Sequence, residues 1–325
     1  MSRLREVIVR KTGGPEVLEM AEADPPEPKS GEVLVDVAAA GVNFIDTYQR
    51  EGRYQMPTPF TLGLEGAGTV RAVGPEVDDV AVGDRVAWVH VQGSYAEQVA
   101  VPAADAVVLP DGVSEEIAAA MMLQGITAHY LSHSTYPVQP GDWVVVHAAA
   151  GGVGSLLTQV VKLLGGNVLA TTSTSEKAEL AKSAGADEVT SYEKFVDRAR
   201  ALTGGDGVAC VYDGVGRSTF DASLKALRVR GTMVLFGASS GPVPPFDPLQ
   251  ALGGASLFVT RPMFAHHIRD RSEFLARTGD LLRWVGEEKL SVHVGARYDL
   301  TDARRAHEDL EARRTTGKLL LLPQP

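Results

Sequence analysis

The sequence predicts an α/β fold in which a small antiparallel, barrel-like domain precedes a doubly wound parallel sheet of six strands. Three observations carry that prediction. Short strand-like runs separated by Gly-Pro and Gly-Asp turns fill the N-terminal part. From Trp143 to Thr260, apolar runs alternate with helical segments. Where the two patterns meet, Trp143-Val144-Val145-Val146-His147-Ala148-Ala149-Ala150-Gly151-Gly152-Val153-Gly154 reads as a buried strand, a tight small-residue turn and a helix start.

Taken in order, the N-terminal strands are expected at Glu32–Val37, Gly68–Val73, Arg85–Val89 and Tyr95–Val101, with turns at Val73-Gly74-Pro75-Glu76-Val77 and Val82-Gly83-Asp84-Arg85-Val86. The proline cluster Asp24-Pro25-Pro26-Glu27-Pro28 is a short loop. A helix is expected over Ser114–Ser134, capped by Ser114 with Glu115 and Glu116 in its first turn, leading into the parallel unit. After the strand at Trp143 comes a helix over Val153–Leu164, and further strands at Val168–Thr171, Glu188–Ser191, Val208–Asp213, Thr232–Gly237 and Ser256–Thr260. Six strands in this alternation make a complete Rossmann sheet, with its ligand crevice at the carboxyl edge. A helix from Ser272 to Glu287, a strand near Arg297 and a helix over Ala303–Arg313 follow. Lys318-Leu319-Leu320-Leu321-Leu322 reads as a strand returning to the first domain. The expected division is 1–128 completed by 265–325, with 129–264 as the nucleotide-binding domain.

Composition agrees with two domains, because 325 residues at 44% apolar content exceed what one core usually holds. A net charge of −10 disfavours nucleic acid or an anionic membrane as the main partner. The one cysteine, Cys210, lies within an apolar strand, which argues against a disulfide framework or a cysteine-based metal site. The opening Met1-Ser2-Arg3-Leu4-Arg5-Glu6-Val7 lacks a signal-peptide core and no apolar run is long enough to span a bilayer, so a cytoplasmic location is expected.

The Gly-Ala turn is a candidate pyrophosphate site: Ala150, Gly151, Gly152 and Val153 bring backbone amides to a helix start, where the dipole favours phosphate. Ala149 stands where the G-x-G-x-x-G pattern has its first glycine. Beyond the next strand, Thr171-Thr172-Ser173-Thr174-Ser175 offers no carboxylate to a ribose until Glu176, with Lys177 following. Hydroxyls and a cation suit a 2′-phosphate, so NADPH is expected over NADH; the rival reading makes Glu176 and Lys177 an ordinary solvated helical turn.

The whole chain resembles the medium-chain dehydrogenase/reductase superfamily, in its zinc-free quinone oxidoreductase branch. The segments that carry the resemblance are Lys11-Thr12-Gly13-Gly14-Pro15-Glu16-Val17-Leu18, Gly41-Val42-Asn43-Phe44-Ile45-Asp46, Gly63-Leu64-Glu65-Gly66-Ala67-Gly68, His147 to Gly154 and Phe236-Gly237-Ala238-Ser239-Ser240-Gly241. The resemblance implies a GroES-like distorted β-barrel as the catalytic domain, a central Rossmann domain and a homodimer joined through sheet edges. Zinc-dependent relatives place a cysteine where Asn43 stands and a histidine where Leu64 stands, so the tetrahedral ligand set is missing; His90, His129 and His133 lack ligand spacing.

Without a Lewis acid to stabilise an alkoxide, reduction of an electrophilic acceptor is the better reading. The resemblance further implies that Ser173, Lys177 and Tyr192 contact the 2′-phosphate. It places Val215, Gly237, Ser239, Phe258 and Thr260 along the cofactor, and Asn43 and Thr127 near its reactive ring; Phe236 joins the cofactor candidates by its position at the sheet's carboxyl edge. Phe236 and Phe258 read equally well as core aromatics, and Lys318 as a surface lysine or a cofactor contact. Around the acceptor it implies Asn43, Asp46, Tyr48, Tyr54 and Gln124, whose amides and phenols hydrogen-bond a quinone oxygen as it gains charge. The expectation is an NADPH-dependent quinone reductase, with the acceptor held in the cleft between domains. Reduction of an activated carbon–carbon double bond, or a regulatory or RNA-binding role, are the alternatives.

Overall fold

The computed structural model describes residues 3–312 and 314–323, and the chain falls into two compact units. The first comprises Met1–Leu123, Thr278–Glu287 and Val292–Pro325; the second comprises Gln124–Arg277 and Glu288–Ser291.

The first unit opens with the hairpin β1 (Leu4–Val9) and β2 (Leu18–Ala23), then the long strand β3 (Glu32–Val42) and the short helix α1 (Phe44–Arg50). Strands β4 (Phe60–Thr61), β5 (Glu65–Val73), β6 (Arg85–Val89), β7 (Gln98–Pro102) and β8 (Ala106–Val108) follow. The antiparallel reading of this region holds, with strands longer or shifted: β3 runs to Val42, β5 begins at Glu65, and β7 begins at Gln98 rather than Tyr95. β3 makes the unit barrel-like. β5 pairs along it, while β7 pairs with Glu32–Asp36 and β16, the closing strand (Lys318–Leu322), pairs with Ala40–Val42. Register shifts near Leu34 and Ala39 bend β3 as bulges do. Val7, Val35, Val37, Trp88, Tyr95 and Leu321 form the core that this curl encloses.

α2 (Glu115–Tyr130) starts at Ser114, whose hydroxyl accepts from Ile117 N at 3.3 Å, and gives way to a wider turn over Leu131–Thr135. The second unit holds β9 (Trp143–Val146), α3 (Gly152–Leu163), β10 (Asn167–Thr171), α4 (Ser175–Ser183), β11 (Glu188–Thr190), α5 (Phe195–Leu202), β12 (Val208–Asp213), α6 (Phe220–Ala226), β13 (Leu227–Leu235), α7 (Pro248–Leu252) and β14 (Phe258–Thr260). Its six strands are all parallel in the order β11-β10-β9-β12-β13-β14, the doubly wound arrangement expected from the sequence. The order reverses between β9 and β12, so the turns after those two strands flank the switch point where such sheets bind ligands. Val145, Leu169, Val211, Phe195 and Met233 form this unit's core, and Cys210 is fully buried in β12.

Several strand ends differ from expectation: β10 starts at Asn167, β11 stops at Thr190, β13 runs from Leu227 to Leu235 and so stops before Phe236 and Gly237, and β14 starts at Phe258, after Ser256 at φ +51°. The chain closes with α8 (Arg271–Gly286), β15 (Val294–Asp299), α9 (Ala303–Glu311) and β16. Arg313, the expected end of the last helix, lies outside the described residues. β15 and β16 run parallel, a departure from the otherwise antiparallel first unit.

Candidate active site

The dinucleotide turn follows β9 directly. α3 begins at Gly152 with Gly151 at its N-cap, so no side chain caps it, which leaves its first-turn amides to an external acceptor. Gly154 admits the close approach of turn and helix: a Cβ there would lie 2.7 Å from Ala149 Cα. The alanine in the first glycine position costs nothing, since the left-handed conformation falls one residue earlier, on Ala148 at φ +51°. Ala149 instead donates its N–H to Thr171 O at 3.2 Å. Ala148 N donates to the Tyr192 hydroxyl at 3.1 Å, tying the turn to the loop after β11. Gly152 leaves room for Gln124, whose Cγ a Cβ would meet at 3.2 Å. These features fit a bound pyrophosphate.

Beneath this turn a buried polar network holds the two loops of the switch point. Ser223 Oγ and Thr219 Oγ1 donate to Asp213 Oδ2 at 3.0 and 2.7 Å, while Val215 N and Gly216 N donate to Oδ1 at 2.7 and 2.9 Å. Because Ser223 spends its proton on Asp213, it accepts from His147 Nε2 at 2.9 Å. His147 Nδ1 then accepts from Thr171 Oγ1 at 2.8 Å. Burial pushes the imidazole down to about 4, overriding the pull of Asp213, so the 3.9 Å approach of the two is not an ion pair.

Val215 is buried in the loop after β12, while Gly237 and Ser239 are half-buried after β13. Ser239 N donates to Gly214 O at 3.2 Å, joining these two loops, and a Cβ on Gly237 would meet Gly214 Cα at 2.9 Å. Phe258 is 57% exposed, so it is not a core aromatic; Phe236 and Thr260 are half-buried. Ser173 is exposed and Lys177 half-buried in the first turn of α4, whose start Thr174 caps by accepting from Lys177 N at 3.2 Å. Thr127 is buried on α2 and hydrogen-bonded to Tyr130, whose hydroxyl burial pushes up to about 12.

In the first unit the candidate residues surround a buried ionic cluster. Lys318 Nζ donates to Asn43 Oδ1 at 2.8 Å and to Glu65, and Asn43 Nδ2 donates to Glu65 Oε2 at 2.9 Å. Glu65 Oε1 also accepts from Leu123 N at 2.6 Å. Lys318 is therefore not the surface lysine that was one reading of it: it is 3% exposed, and burial pushes its ammonium down against the pull of Glu65. Gly41 makes the space, because a Cβ there would lie 2.8 Å from Lys318 Cε.

Asp46 reaches back to cap its own helix, accepting from Asn43 N at 2.8 Å, and accepts from the Tyr95 hydroxyl at 2.9 Å. Burial pushes its carboxyl up to about 7 against both bonds. On the outer side of α1, Phe44, Tyr48 and Tyr54 form an aromatic row, with ring centroids 6.5 and 6.0 Å apart and Phe44 and Tyr54 exposed. Such a row suits a flat ring.

Sequence reasoning missed Glu65, Tyr95, Arg50 and His307. Only Glu65 carried a signal, as a charge within a run of small residues. The histidines read as scattered include one pair in contact: His129 and His133 stack at 4.0 Å. Among the described residues no group of three His, Cys, Asp or Glu side chains is arranged to hold a metal ion.

A parallel sheet with a small-residue turn at its switch point, in a chain that also carries a curled antiparallel unit with its own polar cluster, defines a dinucleotide-dependent dehydrogenase or reductase. Residues 29–111 match the alcohol dehydrogenase GroES-like domain, and residues 152–275 match the family described as zinc-binding dehydrogenase. The quinone oxidoreductase of Salmonella typhimurium is 44% identical over 319 residues, covering 96% of this chain and 98% of that protein. A mycobacterial protein solved in complex with NADPH is 51% identical with a TM-score of 0.94, and Escherichia coli quinone oxidoreductase in complex with NADPH is 41% identical with a TM-score of 0.95. Each covers 98% of this chain and 100% of its own. The chain belongs to the quinone oxidoreductase branch of the medium-chain dehydrogenase/reductase superfamily.

Proposed function

We propose that this chain is an NADPH:quinone oxidoreductase that works without a metal ion. The observation that carries the reading is near-complete coverage by quinone oxidoreductases, including structures solved with NADPH, on a fold whose dinucleotide turn is intact. The residues at the former metal position support metal independence. Asn43 accepts from the Lys318 ammonium and donates to Glu65, so the ammonium already fills the space beside that carboxylate.

When bound, NADPH supplies the hydride. Ala150, Gly151, Gly152 and Val153 would hold its pyrophosphate. Ser173, Lys177 and Tyr192 would hold the 2′-phosphate, and Val215, Phe236, Gly237, Ser239, Phe258 and Thr260 would line the carboxyl edge, with Thr127 and Lys318 nearer the ring. On the acceptor side, Tyr48 and Tyr54 offer the aromatic row to a quinone, and Asn43, Asp46 and Gln124 supply polar groups for the oxygen that gains charge. The reading assigns 129–264 to NADPH and 1–128 with 265–325 to the acceptor. A cytoplasmic homodimer completes it: β14 ends the sheet with Phe258 exposed, an edge suited to a second copy. No helix among the described residues is long and apolar enough to cross a membrane.

The test is initial-rate oxidation of NADPH and NADH with 1,4-benzoquinone, 9,10-phenanthrenequinone and a simple enone as parallel acceptors. Preferential NADPH turnover with quinones is expected. Enone-only turnover transfers the chain to the double-bond reductases, and tight NADPH binding without turnover makes it a binding protein.

A further inference from the structure

Asp46 ends a buried hydrogen-bonded chain that begins at Arg50 and passes through α9. Arg50 can only donate, so its 3.0 Å contact with His307 is accepted by Nδ1. His307 is held neutral, since burial first and Arg50 second push its imidazole down to about 3. The remaining proton sits on Nε2 and is donated to the Tyr95 oxygen at 3.2 Å, leaving the Tyr95 hydrogen for Asp46 Oδ2. Every donor direction follows from the arginine end. Arg50 is itself anchored by donating to Gly13 O at 3.1 Å and to Glu311 Oε1 at 2.8 Å, with Glu51 at 3.3 Å.

At the other end, Oδ2 takes both the Asn43 N–H and the Tyr95 hydroxyl, whereas Oδ1 is buried with no hydrogen-bond partner. Tyr95 thus gives a second bond to the oxygen that Asn43 N already holds, and so reinforces the difference between the two. The charged groups that also act on the carboxyl are Lys318 on β16 and Glu65 on β5.

We propose that Tyr95 and His307 are positioning residues for quinone reduction: they hold the Asp46 carboxyl in the one orientation that fixes Asn43 at the start of α1. The inference rests on the functional reading above, and neither residue touches the acceptor in it. Loss of the tyrosine hydroxyl leaves the Asn43 N–H as the carboxyl's one remaining hydrogen bond, loosening the Asn43 backbone whose side chain joins Lys318 to Glu65.

The test compares Tyr95→Phe, His307→Leu and His307→Gln with wild type. It reads kcat and KM for 1,4-benzoquinone at saturating NADPH across about pH 5–9. NADPH affinity is read by fluorescence titration, and the Asp46 carboxyl midpoint by carbon NMR, assigned with Asp46→Asn. Tyr95→Phe and His307→Leu should lower kcat on the order of tenfold with NADPH affinity unchanged. Both should move the Asp46 midpoint to higher pH, because the charged form loses a donor or has it disordered. His307→Gln, which keeps an N–H for Tyr95, should restore most of kcat.

Folded variants with wild-type kcat and an unmoved midpoint overturn the proposal, as does a loss of NADPH affinity that matches the loss of kcat. A wild type that reduces no quinone overturns the functional reading instead, and the Asp46 midpoint in Tyr95→Phe still decides the chain.

Discussion

Replacing Lys318 by methionine tests whether the buried cluster is an ion pair that the first unit depends on. Methionine keeps the apolar stem, so little cavity forms, but the ammonium goes. Lys318 and Glu65 side chains are 2% and 0% exposed, and Glu65 keeps only the Asn43 and Leu123 N–H donors after the change. Removing one partner of a buried pair costs about 3–5 kcal/mol, because the other charge stays desolvated and uncompensated. In a unit of this size that is a fall in melting temperature of roughly 10 °C. Lys318→Met combined with Glu65→Gln should recover most of the loss, since no charge is then stranded. Urea unfolding of the four proteins, followed by circular dichroism, measures all of this. A single-variant loss below about 1 kcal/mol, or no recovery in the double variant, would refute the ion-pair reasoning.

Three further outcomes are expected. Asp46 has a folded value near 7 against 3.8 unfolded, so its contribution to stability is present below the lower value and disappears as pH rises through the upper. Wild type should therefore lose stability relative to Asp46→Asn between those limits, and parallel denaturation curves would contradict it. His147 has the opposite sign, lowered from 6.5 to about 4, so the second unit should lose stability as pH falls through that window. His147→Leu should flatten that acid limb while costing about 1–3 kcal/mol at neutral pH for the unsatisfied Thr171 and Ser223 groups. Lys177→Ala should weaken NADPH much more than NADH in equilibrium titration; equal weakening would remove Lys177 from the phosphate site.

The parallel sheet was legible because its information is local. Buried strands read as continuous apolar runs, and Ala148–Gly154 marks the turn whichever residues surround it. Element ends were less legible: Phe236 and Gly237 continue the apolar pattern of β13, yet Phe236 N makes the last ladder bond to β12, donating to Asp213 O at 3.0 Å, and the strand stops at Leu235. The helix α1 went unread because it is short and its cap, Asp46, serves a tertiary contact as well. Lys318 stayed open between a surface position and a cofactor contact, because an isolated lysine is usually exposed and nothing local marks a buried partner.

By itself the sequence determined the fold class, the dinucleotide turn, the absence of a carboxylate before Glu176 and the polar and aromatic residue types on the acceptor side. Each is a matter of periodicity, turn chemistry or composition over a few neighbouring residues. Only the tertiary structure decided which of those residues meet. Antiparallel pairing of β16 with β3 sets Leu319 opposite Val42, which brings Lys318 beside Asn43 and onto Glu65. Packing of α9 brings His307 to Tyr95 and Arg50. A buried polar group must find its partner wherever the backbone delivers one, and that delivery is set by strand register between segments far apart in the chain.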